Sequence, residues 1–391
     1  MRLRLVVSFG LLALCQCKDP PPPGPVPSAT SASGSASASA SVTTAATAAS
    51  PSASARTHTQ PYKPIARGSA DVAVAGGNTD PDGGAPTSVT PASVGLPTVD
   101  FGPPGPVVIK GYPDGPIGNG MSDPATALGY SKDGSELVAC GDMVGGFSEA
   151  APKGSELGTL CYVAGRTGPT RSYAAEEKGL SPQYVAAVTS LKSGSMVRLT
   201  PTMAPPAVDA TWGFAKDISL EVTKGGALKI GGRVGAEEPV YPVTLSVKPP
   251  SPDMQYNGSW NAILPSPEKN ELAFVGHFFC MEWCNDLVIA RLPFGKVASL
   301  VFNDTGFRHH QKKEYQASRD LFLKATWANP SAPLPPYNLA CAYALTNDAK
   351  NAEKALKLAI AVGGPKVKAR AQKDPDFKAM VTAKWFTDLT Q

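Results

Sequence analysis

The chain has 391 residues, and its 36 Lys and Arg against 32 Asp and Glu give a formal net charge of only +4. That balance excludes a nucleic-acid-binding protein that works by global charge. The charged fraction of 17%, together with 38 Gly and 39 Pro, excludes a coiled coil, and the composition excludes a multi-span membrane protein. The Gly, Pro, Ala and Ser residues are unevenly distributed, so we expect a folded part smaller than the length suggests.

The N-terminus has the pattern of an export signal. Arg2 and Arg4 precede an apolar run over residues 5–14, which is typical of a secretory signal and is shorter than a membrane span. The following Leu14-Cys15-Gln16-Cys17 resembles the lipid-attachment site of bacterial lipoproteins. This resemblance implies a signal peptide over residues 1–17, export across the inner membrane, and a cell-envelope or periplasmic protein held at a membrane by a lipid on Cys17. Attachment through Cys15, ordinary secretion and a retained anchor remain alternatives.

Residues 18–98 are predicted to be a disordered linker. Between Pro20 and Arg56, 32 of 37 residues are Pro, Ser, Ala or Thr, and few large apolar side chains follow before residue 99. Such a segment buries too little apolar surface to offset its conformational entropy. We therefore expect a flexible tether between the lipid anchor and the folded part.

Residues 99–300 are predicted to form a β-rich domain. Short β-prone runs separated by Gly and Pro recur along this stretch, including residues 184–188 and 298–302, and this pattern is typical of a sandwich or a propeller. Residues 131–142 align with residues 266–277, each with Ser, a turn, Glu-Leu and an apolar strand. The pattern resembles the blade turns of periplasmic Tol-like propellers and some uncharacterised secreted proteins. Two similar but unrelated hairpins would explain it equally well.

The cysteines suit an oxidising compartment. The simplest pairing within the β-rich region is Cys140 with Cys161 and Cys280 with Cys284, although four cysteines allow three connectivities. Cys341 falls within a predicted helix and is expected to be a buried free thiol. His277, Cys280 and Cys284 also have a spacing seen in metal sites, but no fourth Cys or His lies nearby. A disulfide, free thiols and a metal site thus remain open, and no metal is assigned.

The last part of the chain, residues 301–391, carries the most specific motif. Small and bulky residues recur there with a 34-residue period, at Gly306, Phe322, Ala325 and Pro330 in the first copy and at Asn338, Leu339, Ala340, Tyr343, Ala352, Leu356 and Ala359 in the second. This pattern resembles the tetratricopeptide repeat, a helix–turn–helix unit in which small residues allow paired helices to approach. The resemblance implies a short α-helical domain after the β-rich one, with these positions as packing residues.

A shorter motif follows the second copy. Asp374-Pro375-Asp376-Phe377 resembles the closing segment found after the last repeat, which implies a short capping helix. Residues 306–391 hold 14 basic and 7 acidic residues, a net charge of +7, which leaves −3 for the rest. A basic helical groove would favour an acidic peptide or an anionic envelope polymer. His309 and His310 are expected at the exposed end of the first helix.

No catalytic motif is found in the sequence. It has no phosphate-binding loop, no dinucleotide-binding loop and no zinc-protease motif, and the Gly-x-Ser-x-Ala sequence around Ser148 departs from a nucleophile elbow at its last position. We therefore predict no catalytic residues and no cofactor.

These patterns favour a non-catalytic protein–protein interaction or scaffolding protein of the envelope, acting on an unidentified protein partner through its helical unit, without nucleic acid. The alternatives are a β-rich domain that binds an envelope ligand or polymer with the helices as a brace and, third, an envelope hydrolase.

Overall fold

The computed structural model describes residues 71–74, 89–102, 105–107, 109–110, 127–141, 160–166, 171–176, 179–180, 182, 185–187, 189, 196–199, 208–212, 217–223, 227–246, 257–266, 271–279 and 285–391. Contacts divide the chain after Pro61, and every described residue belongs to the second unit. The strands are β1 (Asp71–Val74), β2 (Gly105–Val107), β3 (Ile109–Lys110), β4 (Ala127–Ser131), β5 (Glu136–Gly141), β6 (Leu160–Gly165), β7 (Arg171–Glu176), β8 (Gly179–Leu180), β9 (Met196–Leu199), β10 (Val208–Trp212), β11 (Ile218–Val222), β12 (Leu228–Val234), β13 (Val240–Ser246), β14 (Asn257–Pro265), β15 (Glu271–Phe279) and β16 (Asn285–Pro293). The helices are α1 (Phe294–Gln311), α2 (Tyr315–Ala328), α3 (Leu334–Leu345), α4 (Ala349–Ala371), a 3₁₀ turn (Pro375–Phe377) and α5 (Lys384–Thr390).

The described strands form four sheets. A six-stranded sheet has the order β8-β7-β6-β5-β4-β9, a three-stranded sheet the order β14-β15-β16, a five-stranded sheet the order β1-β13-β12-β11-β3, and β2 pairs with β10. Neighbouring strands are antiparallel except β3 and β11. Each of the larger sheets is built around a meander of consecutive strands, since these need only short turns between them.

The three-stranded sheet lies between the other two large sheets. Ala273 and Val275 on β15 belong to a core shared with the six-stranded sheet, which contributes Tyr130 and Leu137. Their neighbour Phe274 points to the opposite face, into a larger core shared with the five-stranded sheet and α1. Because successive side chains of a strand point to opposite faces, a strand buried on both sides reads as the continuous apolar run found in β15.

A buried arginine joins two of these layers. Arg291 on β16 forms an ion pair with Glu271 on β15, and its guanidinium also donates to the backbone oxygens of Gly134 and Ser135 in the six-stranded sheet, at 2.5 and 2.8 Å. The Arg291 side chain is only 3% exposed, so its donors must all be satisfied inside the protein. Arg291 thus connects the turn of the first aligned segment, at Gly134 and Ser135, to Glu271, which lies in the second segment at the start of β15.

The two aligned segments fold alike. The described parts of the two segments, residues 131–141 and residues 266 and 271–277, each lead into the middle strand of an antiparallel three-stranded meander. In the first turn, the Asp133 carboxylate accepts hydrogen bonds from Ser131 and Ser135, which lower its pKa. In the second, Ser266 donates its backbone N–H to the Glu271 carbonyl at 3.0 Å.

The helices pack in sequence order, each against the next along the chain. A Cβ atom on Gly306 of α1 would lie 2.9 Å from the Phe322 ring of α2, so only glycine lets these two helices approach so closely. The predicted packing positions are buried apart from Pro330, which is exposed beyond the end of α2. The structure begins α1 at Phe294, seven residues before the predicted boundary at 301.

The helices and the five-stranded sheet share one hydrophobic core. Val297 and Val301 of α1 lie among the apolar side chains of β11, β12 and β13. Arg308 of α1 donates to the backbone oxygens of Glu238 and Pro239, in the turn between β12 and β13, at 2.8 and 2.9 Å. The face of α1 that carries Val297 and Val301 is therefore covered by the sheet.

Two predicted strands are helical in the structure. Residues 298–302 lie within α1, and residues 185–187 of the predicted strand 184–188 have helical geometry. The first prediction was wrong because Val297, Val301 and Phe302 share one buried face at helical spacing, which overrides the β propensity of a five-residue run.

Part of the predicted linker is ordered. Strand β1 pairs with β13, and residues 89–98 lie against the helices, where Leu96 is buried. Trp327 donates its indole N–H to the Pro97 carbonyl at 2.9 Å, and Lys354 donates to the Gly95 carbonyl at 2.7 Å. Within the described part of the chain, no helix is long and apolar enough to cross a membrane.

Candidate functional site

Side chains from three helices converge on the 3₁₀ turn after α4. His310 comes from the last turn of α1, Tyr337 and Cys341 lie four residues apart on α3, and Arg370 lies near the end of α4. Residues four apart on a helix share one face, so Tyr337 and Cys341 point the same way. We call these four residues the seat, and residues 374–377, which lie in it, the C-terminal turn.

The backbone path of α4 brings the C-terminal turn to the seat. Gly364 has φ +63°, which interrupts α4, and Pro365 starts its last two turns in a new direction. Asp374 then caps the 3₁₀ turn by accepting the Asp376 N–H at 3.1 Å, with Pro375 at the first position. The chain therefore folds back over α3 and α1.

Each acidic side chain of the C-terminal turn has its own partner in the seat. The Tyr337 hydroxyl donates to Oδ2 of Asp374 at 2.7 Å, and the Cys341 thiol lies 4.0 Å from the same oxygen. His310 places Nε2 3.0 Å from Oδ2 of Asp376. The seat thus contacts two carboxylates through three different donors.

The aromatic residue of the turn fills an apolar pocket. Phe377 is fully buried, with its ring edge-on to Tyr337 at 6.0 Å between centroids and 5.4 Å from the ring of Phe386 on α5. The Arg370 guanidinium lies 4.5 Å from the centroid of the Tyr337 ring, a cation–π distance. Arg370 is itself exposed, so it covers the phenol while its charge stays in water.

Burial raises the pKa of both donors on α3. Burial raises the pKa of the Tyr337 phenol, and Cys341 and the Asp374 carboxylate raise it further. Burial likewise raises the pKa of the Cys341 thiol, with Asp374 adding to the effect. Both groups therefore act as hydrogen-bond donors at neutral pH, and Cys341 is a poor nucleophile in this state.

The seat and the C-terminal turn together hold the one group of described residues with the spacing of a metal site. Cys341, Asp374 and Asp376 each place a ligand atom within 4.8 Å of the other two. Both Asp374 oxygens already accept hydrogen bonds, and a metal would have to remove a thiol proton whose pKa is raised. The contacts fit a hydrogen-bonded network, and we assign no metal to it.

The other predicted site residues lie elsewhere. Cys140 and Cys161 face each other on β5 and β6 and are joined by a disulfide, while Cys341 is free and buried. The proposed pair Cys280 and Cys284 and the proposed lipid site Cys17 fall outside the described residues.

The expected exposure of the two histidines was wrong. The His309 and His310 side chains are each only 14% exposed. His309 lies between Glu237 of the β12–β13 turn, at 3.3 Å, and Glu314. The end of α1 is covered by two elements, the β12–β13 turn and the C-terminal turn, and sequence spacing alone does not reveal either contact.

The sequence pattern selected the C-terminal turn but not its seat. Tyr337 was missed because its role depends on a contact with Asp374, which is distant in the chain. Arg370 was missed because its contact with Tyr337 depends on the bend of α4 at Gly364. The available signal was the i, i+4 pair of Tyr337 and Cys341 on α3.

No protein-family model, no curated protein and no solved structure matches this chain.

Proposed function

We propose that this chain is a non-catalytic protein–protein interaction or scaffolding protein of the bacterial cell envelope, acting through its helical unit. We further propose that the unit belongs to the tetratricopeptide class, that the protein is exported, and that a lipid on Cys17 holds it at a membrane. The N-terminal signal pattern and the 34-residue period support these assignments.

The observation that carries the proposal is the arrangement of the seat. Donors and an aromatic surface from α1, α3 and α4 contact a short segment through its side chains, which is how a helical groove binds a peptide. Those contacts are made to the side chains of Asp374, Asp376 and Phe377, not to the backbone of the turn. The same groups are suited to a segment of a partner protein.

Exposed cations around the C-terminal turn indicate the charge of that partner. Arg370, Lys373 and Lys378 are exposed and lie within nine residues of one another in sequence. Asp374 and Asp376, the acidic residues between them, are already engaged by Tyr337 and His310. The surface next to the seat therefore favours an acidic partner.

A second candidate follows from the shared core of α1 and the five-stranded sheet. The helices would then brace a β-rich domain that binds an envelope ligand or polymer. Val301 packs against that sheet, and Lys324 of α2 forms an ion pair with Asp217 at 2.9 Å, so the helices do support it.

The test is affinity capture from envelope extracts on the whole chain, because cutting near residue 300 would divide α1. The baits are the wild type, Arg370→Glu at the seat, and Lys357→Glu at an exposed site of α4 outside it. The proposal predicts a saturable protein partner that wild type and Lys357→Glu retain and Arg370→Glu loses. Equal retention by all three baits, or retention of a polymer alone, would contradict it in favour of the brace.

A further inference from the structure

We infer that the seat recognises an acidic–aromatic segment of the form Asp-Pro-Asp-Phe in its partner, and that the chain's own C-terminal turn occupies the seat until such a segment displaces it. This inference rests on the proposed function and names the class of ligand. The turn acts as an internal ligand, and its contacts report what the seat selects.

Each element of the motif is bound by a different part of the seat. Tyr337 donates to the first carboxylate and His310 faces the second, at 2.7 and 3.0 Å. Phe377 fills the pocket beside the Tyr337 ring. Hydrogen bonds to charged groups are stronger than neutral ones, and an aromatic anchor buries a large apolar area. Loss of any one element therefore removes a distinct contact.

The spacing of the motif is fixed by the turn itself. Asp374 accepts the N–H of Asp376, and Pro375 presets the backbone of the first residue of the turn. These local features place the two carboxylates and the ring on the side that faces α1 and α3. A partner segment with Asp, Pro, Asp and Phe in this order can adopt the same turn without help from this chain.

The internal ligand is held by few buried side chains. Beyond Gly364 the buried residues are Ala371, Phe377, Met380, Phe386 and Thr390, while Val381 is 47% exposed. A short 3₁₀ turn with exposed flanks belongs to the part of a fold that opens with the lowest free energy. The seat can therefore open locally while α1 to α3 stay folded.

Because the C-terminal turn occupies the seat, any partner segment must compete with it to bind. A segment tethered by a short linker competes with an external ligand at an effective concentration on the order of 1 mM. An external peptide should therefore bind the wild type weakly. It should bind much more tightly once the internal turn is weakened.

The test uses a labelled peptide with the chain's own sequence over residues 372–381 and a control peptide in which both Asp are Asn and the Phe is Ala. Both are titrated by fluorescence anisotropy into the full chain, as wild type and as the double variant Asp374→Asn/Asp376→Asn. A matched double variant, Asp320→Asn/Glu353→Gln, makes the same charge change on α2 and α4 away from the turn. We expect the Asp374→Asn/Asp376→Asn variant to bind the native peptide at least tenfold more tightly than do the wild type and the matched variant. The control peptide should be bound by none of the three.

A second measurement does not depend on the variant's stability. Hydrogen exchange of the wild type is followed by mass spectrometry with millimolar native or control peptide. The native peptide should accelerate exchange in residues 375–381, and the control should not. Unchanged exchange, or a folded Asp374→Asn/Asp376→Asn variant that binds both peptides alike, would overturn the inference. If capture of a partner protein still depends on Arg370, the proposed function stands and only the ligand class is wrong.

Discussion

Tyr337 on α3 donates its hydroxyl hydrogen bond to Asp374, 37 residues further along the chain, at 2.7 Å. This contact fixes the C-terminal turn against the helices. The phenol is protonated at neutral pH, and burial raises its pKa further, so the donor proton stays in place at higher pH as well. The pair therefore links the packing of the helices to the occupancy of the seat.

Removing the hydroxyl should loosen the turn without creating a cavity. Tyr337→Phe removes the shorter of the two contacts to Oδ2 of Asp374 and leaves the one to the Cys341 thiol. A lost hydrogen bond to a charged group costs about 1.5–3 kcal/mol. We expect the free energy of unfolding in urea to fall by about that amount. Tyr343→Phe on the same helix is the control, because the structure gives its hydroxyl no partner among the described residues. An equal loss in both variants would contradict the role given to the hydrogen bond.

Asp304 on α1 should make stability depend on pH. Burial raises the pKa of its carboxyl to about 6, against an ordinary 3.8. The folded state therefore holds the proton more tightly than the unfolded state, and folding gains stability as pH falls from about 6 to about 4. Above pH 7 the buried charge costs roughly 2–3 kcal/mol.

Substitution of Asp304 tests that cost. Asp304→Asn should raise the free energy of unfolding at pH 8 by about 1–3 kcal/mol, and the gain should disappear by about pH 4. Asp320→Asn, at a side chain 61% exposed, is the control and should show no such pH dependence. A gain for Asp304→Asn that is constant from pH 4 to 8 would contradict the raised pKa.

Replacement of Gly306 should destabilise the helices while Phe322 is present. A Cβ at Gly306 would meet the Phe322 ring at 2.9 and 3.0 Å and Leu321 Cβ at 3.2 Å. Overpacking of this kind costs about 1–3 kcal/mol, although alanine recovers up to about 1 kcal/mol of helix propensity. We expect Gly306→Ala to lower the thermal midpoint.

A double-mutant cycle provides the control for Gly306. Phe322→Leu removes the edge of the ring that the new Cβ would meet, so Gly306→Ala should cost less in the Phe322→Leu background than in the wild type. Additive losses would show that the two residues do not constrain each other.

Arg291 should be the most sensitive position of the β-rich region. Its charge is buried with Glu271, and leaving a buried partner uncompensated costs about 3–5 kcal/mol. Arg291→Met should therefore destabilise the chain by about that amount in urea unfolding. Lys384→Met is the control, because Lys384 and its partner Asp388 are 87% and 59% exposed and a surface pair of this kind should be worth about 1 kcal/mol or less. Similar losses would contradict the joining role of Arg291.

The buried positions of the helices were accessible from the sequence because of its 34-residue period. A 34-residue period of small and bulky residues marked Phe322, Leu339 and Leu356, and all three are fully buried. Their neighbours lie within one or two helices, so local spacing determines which residues meet. The burial of these positions follows directly from that period.

The seat and the sheet layers depend on long-range contacts that no local pattern encodes. His310 meets Asp376 across 66 residues, and Arg291 reaches the Gly134 carbonyl across 157. The β-prone run at 298–302 shows the same limit, since packing of α1 on the sheet decides its conformation. Neither a propeller nor a sandwich can be chosen from the strand pattern, because strand order depends on pairings distant in sequence.

The most direct test of the central claim is site-specific photo-crosslinking in cells that produce the full chain. A benzophenone amino acid is placed at Ala379, an exposed position beside the C-terminal turn, and in a second strain at Lys357, an exposed position of α4 outside the seat. If the chain binds a partner protein through the seat, we expect one discrete adduct with another protein at Ala379. The same adduct should be absent or much weaker at Lys357. No adduct at Ala379, or the same adducts at both positions, would contradict the claim that the seat is the site of interaction.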